Sequence, residues 1–92
     1  MTVDNAGYVL RVRLEQQGAG RVFARLCATA PVQGWAATAT RAGESVTFAV
    51  LAVGEHTAVA AAVLPRGFAW TLTFRLRTRA NAAPVMTTPL RA

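Results

Sequence analysis

The sequence predicts an all-β protein, a small antiparallel β-sandwich or barrel of about six strands in a meander-like order. Three observations carry that expectation. Phe68, Trp70, Leu72, Phe74 and Leu76 alternate with Ala69, Thr71, Thr73, Arg75 and Arg77, and a period of two sends one series inward and the other to solvent. The same alternation recurs at Tyr8–Leu14 and Val46–Val50. Between such stretches lie short gaps containing Gly or Pro, and strands spaced about ten residues apart with hairpin-sized gaps are the mark of a sandwich or barrel.

The first strand, Tyr8–Gln16, places Tyr8, Leu10, Val12 and Leu14 on one face and Arg11, Arg13 and Glu15 on the other. Gln17-Gly18-Ala19-Gly20 ends it, since glycine supplies the positive φ that a tight hairpin needs. The second, Arg21–Ala30, sets Val22, Ala24 and Leu26 against Arg21, Phe23 and Arg25, and Pro31 stops it because proline has no N–H for a central ladder. The third, Gln33–Arg41, is Trp35 followed by alternating Ala and Thr, closed by Ala42-Gly43. The fourth, Glu44–Val53, places Val46, Phe48 and Val50 opposite Thr47, Ala49 and Leu51, and Gly54 breaks it.

The fifth segment, His56–Leu64, is rich in Ala, the best helix former. Its nine residues are too few for a helix that stands alone, and the regular spacing of its neighbours favours a strand with Val59, Ala61 and Val63 inward. Pro65-Arg66-Gly67 then turns the chain into the sixth strand, Phe68–Arg79. Residues 1–79 thus form one β domain. Residues 80–92 lose the alternation, carry Pro84 and Pro89, and are expected to be an extended C-terminal tail, since proline suits neither helix nor central strand.

With 92 residues, 53% of them apolar, the chain has room for one modest core. Twenty of those residues are Ala, no Ile or Lys occurs, and all ten basic residues are Arg; this bias also fits a GC-rich coding sequence. The net charge of +6 favours acidic partners, nucleic acid among them. Cys27 is the single cysteine, so no disulfide forms within the chain, and a buried strand thiol is expected there. The N-terminus has no basic region followed by an apolar core, and no stretch approaches the ~20 apolar residues of a membrane helix. These features lead to an expectation of a cytoplasmic protein without a transmembrane segment.

The chemistry-bearing inventory is small. His56 is the one histidine, and Asp4, Glu15, Glu44 and Glu55 are the carboxylates. Glu55 and His56 are neighbours in an extended or turning chain and point apart, which makes a poor acid–base pair. A Cys27–His56 nucleophile pair is conceivable, yet both residues have sufficient structural explanations. One His and one Cys with scattered carboxylates fall short of the three or four ligands of a metal site. The expectation is therefore a non-catalytic protein with no catalytic residue, metal or cofactor.

Binding surfaces are better represented. Arg11 and Arg13 lie outward on the first strand, Arg21 and Arg25 on the second, and Arg75, Arg77 and Arg79 on the sixth. Should the sixth strand lie beside the first, all seven guanidiniums would line one sheet face, and their forked donors suit phosphate. Phe23, between Arg21 and Arg25, could stack on a base. Trp35, with Tyr8, could serve a sugar-stacking site, a less favoured alternative. The leading expectation is self-assembly or partner binding as a homo-oligomer, because Phe23 and Leu51 point outward and Val85, Met86 and Leu90 make the tail apolar.

Overall fold

Alternating side chains build two sheets that close on one core. The computed structural model describes residues 2–5, 8–77 and 85–91. Among them the strands are β1 (Thr2–Asn5), β2 (Tyr8–Gln17), β3 (Arg21–Ala28), β4 (Gly34–Arg41), β5 (Glu44–Thr47), β6 (Ala49–Val53), β7 (Thr57–Val63), β8 (Ala69–Arg77) and β9 (Val85–Arg91). One sheet has the order β1-β2-β3-β7-β6 and the other β5-β4-β8-β9, and every pairing is antiparallel. The fold is a small all-β sandwich. No helix among the described residues is long and apolar enough to cross a membrane.

The six expected strands are all present, and three features raise the count. β1 forms from the N-terminal leader. The segment Glu44–Val53 divides at Phe48, whose N–H donates to the Ala37 carbonyl of β4 at 2.9 Å. Beyond it the chain leaves the four-stranded sheet and pairs with β7 as β6. Phe48 itself is buried at this crossing. The third addition is β9, which pairs along β8 from Arg75↔Val85 to Ala69↔Arg91. The expected tail is thus an edge strand over residues 85–91, a place where Pro89 is tolerated because an edge needs fewer donors.

Hairpins join β2 to β3, β4 to β5, β6 to β7 and β8 to β9, as a meander requires. The connections between these hairpins change sheet, so β7 docks beside β3 and β8 beside β4. The β4–β5 turn has positive φ at both Ala42 and Gly43, the two-residue form whose twist matches the strands it joins. At the β2–β3 turn the positive φ falls on Ala19 and Gly20, and the Leu64 N–H donates to the Gly20 carbonyl at 2.8 Å.

The core is asymmetric. β8 supplies Trp70, Leu72, Phe74 and Leu76, and β9 adds Met86. From the opposite sheet come Leu10, Val12, Val22 and Leu26, with Ala24, Ala28, Ala58 and Ala60 between them. Facing layers interdigitate when large residues meet small ones. This corrects the face assigned to the fifth segment: Ala58 and Ala60 are buried, whereas Val63 is exposed and Val59 and Ala61 are half-buried. Ala58 and Ala60 pair with buried Leu26 and Ala24 of β3, and that register sets the inward face of β7.

Candidate functional site

Arg11 and Arg13 on β2, and Arg21 and Arg25 on β3, are all exposed on the outer face of the five-stranded sheet. The ladder sets Arg13 directly opposite Arg25, Arg11 opposite Cys27, and Glu15 opposite Phe23. Arg75 and Arg77 are exposed on β8, which lies in the other sheet between β4 and β9. The seven-arginine face therefore does not form: four arginines stand on one side of the sandwich and two on the other, and Arg79 lies outside the described residues. Topology rather than alternation decides this, because the sixth expected strand pairs with the third and not with the first.

An open depression of about 640 Å³ lies on the arginine-bearing side, lined by Thr2, Arg11, Arg13, Arg25, Cys27 and Thr57 among others. Cys27 is exposed here, not buried as its residue type suggested. A second depression of about 330 Å³ adjoins it along β3, formed by Arg21, Phe23, Leu51, Ala61, Ala62 and Val63. Phe23, half-buried, lines this second depression.

The second depression runs into the sheet edge. β6 is the last strand of the five-stranded sheet, and every one of its residues, Ala49-Val50-Leu51-Ala52-Val53, is exposed. Leu51 is 60% exposed, Val53 67%, and Val63 on the adjoining β7 63%. A bulge between Val50 and Ala52 places Leu51 outside the regular pairing with β7. Sequence reasoning found Leu51 but missed Val53 and Val63; Val63 pairs with outward Arg21 and Val53 lies on the edge strand, both set by strand order that local alternation does not show.

Two of the other expected assembly residues, Met86 and Leu90, are used within the chain. Met86 is buried in the core and Leu90 packs against it. Val85 begins β9. The Gln16 side-chain amide donates to the Arg91 carbonyl at 3.0 Å, tying β9 to the other sheet. Trp35 pairs with buried Leu76 and is half-buried against the core, and with Gly34, Arg75 and Arg77 it lines an open depression of about 190 Å³ on the four-stranded sheet.

The outer face of the four-stranded sheet is largely hydroxylic. Thr47, Thr38, Thr73 and Thr87 form one row across all four strands, with Ser45, Thr40 and Thr71 in the next. Threonine is a favoured residue for exposed pleated surface, and its cross-strand pairs add to sheet stability.

His56 Nδ1 lies 3.1 Å from the Ala28 carbonyl, and the Ala28 N–H donates to the His56 carbonyl at 2.8 Å. The Val32 N–H donates likewise to the Glu55 carbonyl at 2.7 Å. This pins the β6–β7 turn against the β3–β4 connection, and it engages the imidazole with backbone while Cys27 lies opposite Thr57. No group of three His, Cys, Asp or Glu that could hold a metal ion occurs among the described residues. Comparison with protein-family models, curated proteins and solved structures found no match.

Proposed function

We propose that the chain is a non-catalytic building block that joins copies of itself through the outer edge of β6. The observation that carries this is the five-residue edge strand itself, apolar throughout and exposed at every position. Sheet edges offer unpaired backbone groups to any other strand, and proteins usually blunt them with charge or proline. The other edges follow that rule: β5 carries Glu44, β9 carries Pro89 and Arg91, and β1 carries Asp4. β6 has only its bulge. Two copies meeting antiparallel across a two-fold axis would extend the sheet and bury the same residues on each side.

The magnitudes suit a moderate association. Burying Leu51 and Val53 on both copies is worth at most ~6–12 kcal/mol, against roughly 4–15 kcal/mol for the lost freedom of two bodies. Ladder hydrogen bonds then tip the balance, and assembly is expected at micromolar concentrations or above.

Light scattering across micromolar to millimolar concentration tests this. The expected mass is a multiple of 9.7 kDa, and Leu51→Glu and Val53→Lys should each restore the monomer while the circular dichroism stays that of a β protein. A monomer throughout the range would sink the proposal.

A further inference from the structure

We infer that the outer face of β2 and β3 binds single-stranded nucleic acid, with Arg11, Arg13 and Arg25 on its phosphates and Phe23 against a base. This goes beyond assembly: the phosphate contacts lie on β2 and β3, away from the β6 edge, although Leu51 of that edge shares the depression beside Phe23.

The charge pattern is the starting point. Arg13 faces Arg25 in register, and like charges directly opposite each other on a sheet destabilise it. Arg11, two residues from Arg13, is diagonal to Arg25 on the same face. A surface tuned for solubility alone would intersperse the two signs. Glu15, opposite Phe23, is diagonal to Arg25 on this face, and Asp4, opposite Val9, is diagonal to Arg11 in the register, so four arginines there outnumber two carboxylates. The ion pair found among the described residues joins Arg41 to Glu44 on the other sheet. The face keeps an excess of positive charge that an external anion would relieve.

Its shape selects the anion. The depression of about 640 Å³ combines these guanidiniums with the hydroxyl-bearing Thr2 and Thr57, donors of the kind that hold phosphate oxygens. The neighbouring depression is apolar apart from Arg21. Along β3 the order is Arg21, Phe23, Arg25, a cation, an aromatic ring and a cation about 6.5 Å apart at alternate positions of a strand. A ligand matching this order carries regularly spaced negative charge and a flat apolar group between charges. An extended single strand does so, since its bases are open to stacking, whereas a duplex hides base faces inside. Among the described residues the groove is lined by guanidinium and hydroxyl groups and by no Asn or Gln, so binding is expected to tolerate most sequences.

The test is fluorescence anisotropy with a labelled twelve-nucleotide oligo(dT), read with the native Cys27 as an internal reporter. Cys27 lines the groove, so the oligonucleotide should slow its reaction with a thiol reagent. With three phosphates neutralised, log affinity against log salt should have a slope of about −2 for a single strand. Arg13→Gln with Arg25→Gln should weaken binding at least tenfold and bring the slope to about −0.7. Phe23→Leu should weaken binding several-fold and leave the slope unchanged. Arg75→Gln with Arg77→Gln, on the opposite face, should leave both readouts unaltered. Circular dichroism checks that each variant keeps its fold. Equal losses from the two arginine pairs, unchanged Cys27 reactivity, tighter binding of duplex or heparin than of oligo(dT), or no binding at low salt would each overturn the inference.

Discussion

The guanidinium of Arg41 lies 3.6 Å from the centre of the Phe68 ring. The same group bonds Glu44 at 2.8 Å across the β4–β5 turn and lies 5.3 Å from the centre of the buried Trp70 ring. One side chain thus joins the end of β4, the start of β5 and the entry to β8. Phe68, which the alternation assigns to the inward series, is 40% exposed, and Arg41 covers it.

Replacing Arg41 should therefore cost more than replacing its partner. Arg41→Ala should lower stability by about 1–2 kcal/mol, the worth of a partly desolvated cation–π contact with its packing. Arg41→Lys keeps the charge but loses the flat stack, and about half of that loss is expected. Glu44→Gln should change stability by no more than ~0.5 kcal/mol, because the carboxylate is largely exposed and solvent screens the pair. Urea unfolding of the three variants gives the comparison.

The direction in which β7 faces makes a second prediction. Ala60 is completely buried and its neighbour Ala61 is not. Ala60→Leu should overpack the core in which Ala60 is buried and destabilise the sandwich by about 2–3 kcal/mol. Ala61→Leu should stay within ~0.5 kcal/mol. Thermal melts that ranked the pair the other way would reverse the face assignment.

Two glycines separate strain from collision. Gly20 has a φ of +76°, and a Cβ there would strike the Leu64 carbonyl oxygen. Gly43 has a φ of +85°, with open space around it. Gly20→Ala should cost about 2–3 kcal/mol, strain plus the displaced Leu64 N–H bond. Gly43→Ala should cost only ~1 kcal/mol, the conformational part alone. Chemical denaturation of both variants measures the difference.

A fourth prediction concerns the C-terminal residues. Met86 is buried, so Met86→Ala should cost about 2–4 kcal/mol. Deleting residues 85–91 uncovers a full edge of β8, and a domain with only about 5–15 kcal/mol in hand should unfold. A truncated chain with an unchanged melting temperature would mean that β9 is dispensable.

How much of this was legible varies with the residue. β8 was plain because one of its faces is large and apolar and the other is not; nothing about its partners is needed to see that. β7 carries Val59 and Val63 on one face and only Ala58, Ala60 and Ala62 on the other, so periodicity favours the valine face inward, and only the long-range pairing of Ala58 and Ala60 with buried Leu26 and Ala24 of β3 decides otherwise. Cys27 was legible in the pattern, since Val22, Ala24 and Leu26 facing inward turn it outward, but the tendency of cysteine to be buried argued the opposite. Six of the seven arginines, all but Arg79 outside the described residues, are exposed as expected, while which of them share a face depends on strand order, a long-range property that local alternation does not encode. Phe48 illustrates the same boundary. The alternation runs through it unbroken, and the change of sheet that occurs there leaves no local mark.

The crossing at Phe48 also determines how the molecule would carry load. β5 and β6 are one continuous run of chain belonging to both sheets, fastened midway by a buried ring. Tension applied to the β6 edge by a neighbouring copy would not simply peel away a peripheral strand. It would draw on Phe48, and through the Ala37 carbonyl on β4, so that both sheets resist together. The exposed edge of the sandwich is thus anchored in both of its sheets, as the seam of a two-fold pair would need.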